Sequence, residues 1–186
     1  MRSATTRHRL RADEVVIRHE LHLSGAREQA GELIDSLGSP HDRLWPHETW
    51  PAQSLDGPLR VGASGHNGPV RFAVEAYEPG RRVRYRLLGP RGFRGWHEFT
   101  LESSPSATRL THTYNATHHG AARIIWPLAL GPLHDAATRD CLAKAQRELG
   151  LPTDPPHRSP WVRLLRLTLP LSDVLWPPTP RGRGDG

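Results

Sequence analysis

The sequence predicts an α+β fold, an antiparallel sheet with one face covered by helices. Three observations carry this. Four segments between Pro69 and Thr117 alternate apolar and polar residues with the period of a strand. A helical stripe of apolar residues precedes them, and a second helical stretch follows.

Residues 1–12 hold four Arg and no acid, so a basic, disordered arm is expected there. From Glu14 to Leu23 the chain alternates, with Ile17, His19, Leu21 and Leu23 on one side, and forms the first strand. Ser24-Gly25 can cap the next element. Ala26, Ala30, Leu33, Ile34 and Leu37 share one helical face, and Gly38 and Pro40 end the helix. Two Trp-Pro pairs, Trp45-Pro46 and Trp50-Pro51, follow. A residue before proline is pushed away from the α region, so this segment is extended or turned. Each indole needs a partner for its N–H, and the two are expected to close one end of the molecule. Leu59 to Ala63 begins a second strand and runs into a Gly-rich loop, 62–69.

The meander comes next. Val70, Phe72, Val74 and Ala76 alternate with Arg71, Ala73, Glu75 and Tyr77. Glu78-Pro79-Gly80-Arg81 supplies a turn. Val83, Tyr85 and Leu87 then oppose Arg82, Arg84 and Arg86, which sets Glu75 across from Arg84. The third strand carries His97, Phe99 and Leu101 inward, and the fourth Leu110, His112 and Tyr114. In-register pairing of these two puts His97 opposite Tyr114 and Phe99 opposite His112. Polar rings on an inner face need partners or a cavity.

Ile124 to Leu133 is apolar but interrupted by Pro127, Gly131 and Pro132. The closing helix is expected from about Leu133 to Leu149, opened by Pro132 and stopped by Gly150. One face gathers His134, Ala137, Thr138, Cys141, Leu142 and Ala145. Asp135 falls on the opposite face, and Asp140 and Lys144 make an i, i+4 pair. Ala137, Cys141 and Ala145 fill little volume, so either the helix packs very close to the sheet or a cavity separates them. Beyond Gly150 lies a Pro-rich linker. An apolar-basic segment from Trp161 to Trp176 then suits either a membrane surface or partner, or packing back onto its own domain.

The formal net charge of +6 sits in the two ends, while residues 13–150 balance to zero. Nucleic-acid binding is therefore not expected, since it wants its basic patch on the fold itself. One cysteine, Cys141, allows no internal disulfide and fits a reducing, cytoplasmic setting. No apolar run reaches the ~20 residues of a spanning helix.

Four stretches carry a resemblance. They are Leu44-Trp45-Pro46 with Trp50-Pro51, Pro58-Leu59-Arg60-Val61-Gly62-Ala63, Tyr77-Glu78-Pro79-Gly80-Arg81-Arg82-Val83, and Pro132-Leu133-His134-Asp135-Ala136. Residues 13–150 resemble the helix-grip superfamily of polyketide cyclase/dehydrases, START domains and birch-pollen-allergen-like proteins, often called SRPBCC. The likeness is to a branch whose motifs attach no defined chemistry, and fold does not imply function. It implies a curved antiparallel sheet of six or seven strands, wrapped around a long C-terminal helix, with a short helix after strand 1. It also implies a hydrophobic pocket under that helix, with the Gly62–Gly68 loop near its mouth. The residues 151–186 go beyond the pattern.

Tests against known chemistry exclude more than they admit. Gly62-Ala63-Ser64-Gly65 misses the spacing of a nucleophile elbow. A phosphate loop needs a lysine, and the only one, Lys144, sits in the last helix. A zinc site wants closely spaced Cys and His; twelve His make accidental pairs common, and His118-His119 falls in a predicted exit loop, so no metal is expected. No cofactor is expected either. Binding of a small hydrophobic molecule, lipid-, aromatic- or polyketide-like, is the leading expectation. Its contacts would be His19, Phe72, Tyr85, His97, Phe99, His112, Tyr114, His134, Thr138 and Cys141. One alternative is acid–base cyclisation or dehydration of a poly-β-keto chain by His97, His112 and Tyr114. Another is an accessory role played through the tail.

Overall fold

The computed structural model describes residues 3–11, 14–23, 27–103, 107–154 and 157–167. One open sheet of eight strands has the order β1-β2-β8-β7-β6-β5-β4-β3 with every neighbouring pair antiparallel. The strands are β1 Ser3–Arg11, β2 Glu14–Leu23, β3 Gln53–Leu55, β4 Ser64–Asn67, β5 Val70–Glu78, β6 Arg82–Gly89, β7 Phe93–Ser103 and β8 Thr108–His118. Helix α1 (Arg27–Asp35) follows β2, and α2 (Ala122–Ile125), a π-helical turn (Trp126–Leu130) and α3 (Gly131–Glu148) follow β8. A short α4 (Pro160–Arg166) lies in the tail.

The four-stranded meander stands as the alternation predicts, but the total exceeds six or seven strands. Two additions account for this. Ser3–Arg11 is an edge strand paired with β2, where a disordered arm is expected. Backbone pairing asks little of side-chain type, and a basic sequence suits an exposed edge. Gln53–Leu55 is a three-residue strand in the Trp-Pro segment. The second strand is displaced too: it starts at Ser64, not Leu59, so half of the expected Gly-rich loop is strand β4. A Cβ on Gly65 would stand 2.2 Å from the Ser54 carbonyl oxygen, so this glycine allows close backbone approach within a sheet. Glu75 does not face Arg84. A bulge between Val74 and Ala76 sets Ala76 opposite Arg84. Glu75 lies 3.8 Å from Arg86 instead.

The closing helix starts earlier than predicted. Helical backbone runs from Ala122 through Glu148 without a break. The prolines are carried by widening the helix: the Gly131 N–H donates to the Trp126 carbonyl, one residue further back than in an α-helix. Pro132 has no N–H to offer the Leu128 carbonyl four residues behind it. That oxygen accepts instead from the Trp161 indole N–H at 2.7 Å, a donor brought by α4.

The main core joins α1, the sheet and the second half of α3, around Leu33, Leu37, Phe72, Tyr85, Phe99 and Leu142. A second cluster surrounds Trp126, with Ile17, Phe93 and Tyr114. A third packs Val162 of α4 against Trp50, Leu133 and Ala137. Thus 157–167 packs back on the domain, with Arg158 paired to Asp140 and Arg166 stacked over Trp50. Ser24-Gly25, most of the 103–107 turn and the tail from 168 onward lie outside the described residues.

Candidate functional site

A cavity of about 120 Å³ opens between the sheet and the first half of the long helix. The sheet contributes Phe72, Leu87, Phe93, His97, His112 and Tyr114, and the helix Trp126, Leu130, Leu133, His134, Ala137 and Thr138. The Trp-Pro segment closes one wall with Trp45, Trp50 and Pro51, beside Gln53, Asn67 and Val70.

Period-two strands explain why these rings converge. His97 pairs with Tyr114, and Phe99 with His112, as the predicted register requires. His19 pairs with His112 across β2 and β8. From the helix, the His134 ring comes within 5.2 Å of His112 and 4.9 Å of Tyr114, centroid to centroid. Four imidazoles thus form one chain, with His97 to His112 at 5.7 Å and His19 to His134 at 6.2 Å. Trp126 stacks flat on Tyr114 at 4.4 Å.

Of the ten predicted contacts, Phe72, His97, His112, Tyr114, His134 and Thr138 border the cavity. The other four do not. Tyr85 is completely buried in the core, stacked on His97 at 4.9 Å. Phe99 packs behind His112, and Cys141 is buried in the main core. His19 lies behind His112 and His134, beside Asp135. The small-residue argument therefore holds for Ala137, which faces space, and fails for Cys141 and Ala145, which face packed side chains. Gln53, Asn67, Phe93, Trp126, Leu130 and Leu133 were missed. Trp126 had a signal, since an indole in an apolar run asks for a buried neighbour; Asn67 in a Gly-rich stretch had none.

Burial sets the electrostatics. It pushes the His97 imidazole down to about 4. His112 falls well below its ordinary value, first through burial and then through the neighbouring imidazoles. The Tyr114 phenol and the Cys141 thiol are both pushed up by burial. The cavity wall is therefore uncharged at these groups near neutrality. The His112 Nδ1 is buried and makes no hydrogen bond among the described residues. His112 borders the cavity, so this nitrogen is available to a polar group of a ligand.

Asp135, expected on the opposite face of the helix, is buried, and so are Asp140 and Lys144, expected as an i, i+4 pair. Asp140 accepts from the Trp50 indole at 2.7 Å and from Arg158. Lys144, read as its partner, donates instead to the Asp42 and Trp45 carbonyls at 3.0 Å and to Glu48 at 2.7 Å. Asp135 meets His19. Asp140 and Lys144 between them fasten both tryptophans of the Trp-Pro segment.

An antiparallel sheet laid against one long C-terminal helix, with a cavity between, is a helix-grip fold. The chain resembles CalU16 from Micromonospora echinospora over 94% of both chains, at 16% identity and a TM-score of 0.54. It resembles the di-domain ARO/CYC StfQ of steffimycin biosynthesis at 13% identity and a TM-score of 0.56, over 75% of this chain and 53% of that one. Norcoclaurine synthase from Thalictrum flavum, solved as a point mutant with a transition-state analogue, matches at 14% identity and a TM-score of 0.52, over 81% of this chain and 98% of that one. At these identities the likeness establishes the fold. No family model matches the chain, and no curated protein matches it. Among the described residues no helix is long and apolar enough to cross a membrane.

Proposed function

We propose that the protein binds a small, largely apolar, ring-bearing molecule in this cavity. The observation that carries the reading is the wall itself: tryptophans, phenylalanines and neutral imidazoles around about 120 Å³ of space. Pockets of mostly apolar wall with a few placed polar groups are built for small organic ligands. A cavity of about 150 Å³ holds a benzene ring, so the enclosed part of the ligand is about one ring and the rest of it reaches toward the opening. His112 Nδ1 would meet a hydroxyl or carbonyl on it.

Cyclisation or dehydration ranks second. Its support is the His97–Tyr114 cross-strand pair and the His134 ring above it. Against it stands the His97 value of about 4. A general base works best with a pKa near the operating pH, and this one is a weak proton acceptor at neutrality. A third reading, contact with a membrane surface or partner, rests on α4, where Trp161, Leu164 and Leu167 are exposed.

The test is a fluorescence titration of the full chain with 1-naphthol. Wild type should quench and saturate, and Ala137→Phe, which fills the space, should weaken binding about 10-fold or more while keeping its melting temperature. Equal binding by the two proteins would remove the cavity from the account.

A further inference from the structure

We propose that His19, His134 and Asp135 form a binding site for a divalent transition ion of the zinc class, beside the cavity. The three residues come from opposite ends of the chain, so sequence spacing gives no hint of them. Strand β2 delivers His19 and the first half of α3 delivers the other two. One ligand atom from each lies within 4.8 Å of the other two.

The geometry matches the coordination. Ligands about 2.0–2.1 Å from a tetrahedral ion stand about 3.3–3.4 Å apart. His19 Nε2 and Asp135 Oδ1 are 3.4 Å apart, the edge of such a tetrahedron. The His134 ligand atom lies within 4.8 Å of both. Two imidazoles and one carboxylate are the donor set that suits zinc and its first-row neighbours, and three protein ligands leave a position open. His134 borders the cavity, so the open position faces the space a ligand would enter.

Two further features support the assignment. Thr5 Oγ1 lies 3.0 Å from His19 Nδ1. A hydrogen bond on the far nitrogen is how proteins hold a ligating imidazole in the tautomer that offers Nε2. It gives the unexpected strand β1 a task. Asp135 is a carboxylate only 7% exposed that already faces the His19 ring, an arrangement a shared cation would bridge. With one negative ligand the bound ion keeps a net positive charge. The open position then favours an oxygen donor, such as a phenol, enol or carbonyl.

The site stands apart from the organic ligand, because the probe is the metal alone; failure of 1-naphthol to bind leaves this test intact. The full-length protein is stripped with EDTA, then titrated with ZnCl2 by calorimetry and with CoCl2 by visible absorption. We expect one tight equivalent and the intense visible bands of four-coordinate cobalt. Asp135→Asn and His134→Gln should each weaken zinc about 100-fold or more, and Thr5→Val about 10-fold through the lost second contact. His134 borders the cavity, so H134Q carries the comparison if D135N loses its fold. Zinc bound no tighter by wild type than by the folded variants, or cobalt spectra of pale six-coordinate type unchanged by H134Q, would overturn the proposal. The trio would then be a structural polar cluster.

Discussion

His97 sits among the rings of Phe72, Tyr85 and His112, and that setting makes its proton expensive. Its folded pKa of about 4 lies below the 6.5 of an unperturbed imidazole. The unfolded chain therefore takes up this proton first on acidification. Stability from His97 is complete above about pH 6.5 and drains away as pH falls toward 4, by on the order of 3 kcal/mol. Urea melts at pH 7 and pH 4.5 should show His97→Phe losing less stability between the two than wild type, by about 2–3 kcal/mol. Identical acid losses would mean that the ring is not shielded as described. Lys144 offers a second residue-scale check. It is 6% exposed, and its three donors hold the 42–48 segment against α3. Lys144→Met should cost about 2–4 kcal/mol in the same melts, because two carbonyls lose a charged donor. The helical wheel sends Asp135 outward and leaves Asp140 and Lys144 as a pair with each other. The wheel sees only the sheet side, whereas the Trp-Pro segment and α4 cover the other flank.

At the scale of elements, the long helix is the least legible piece. Pro127, Gly131 and Pro132 within six residues read as a break, and local rules favour that reading. The helix persists because the π turn supplies a wider ring and Trp161 satisfies the Leu128 carbonyl. Gly131 is specific to this arrangement: a Cβ there would lie 2.8 Å from the Trp126 carbonyl oxygen. Gly131→Ala should therefore displace Trp126, lower stability by about 1–3 kcal/mol and weaken 1-naphthol binding in the same titration. Unchanged stability and binding would show that the turn relaxes freely. The docking of α4 rests on Val162, 6% exposed, between Trp50 and Leu133. Val162→Asp should release it, and limited trypsinolysis should then cut at Arg158 faster than in wild type. Equal cleavage rates would contradict the packing. The strands were far more legible than the helix, because alternation is local and survives any tertiary context. The bulge at Glu75 and the short strand β3 have no such local mark.

Taken whole, the molecule is an open sheet whose inner face is too wide for one helix to fill. The meander, the pairing of β7 with β8 and the shared face of His97, His112 and Tyr114 follow from period-two patterning alone. The position of the cavity does not. It depends on Trp126, Trp45 and Trp50, which reach it from segments without regular periodicity. Toward the C-terminal half of α3, Leu142 and the α1 leucines close the gap that Cys141 and Ala145 leave. Toward its N-terminal half, Ala137 and Thr138 leave the gap open. The most direct test of that gap is native mass spectrometry of freshly purified full-length protein, run beside Ala137→Phe. An apolar small molecule retained one per chain by wild type and lost from the variant is the expected result. Bare protein in both spectra, with no rise in melting temperature across a panel of one- and two-ring compounds, would contradict it.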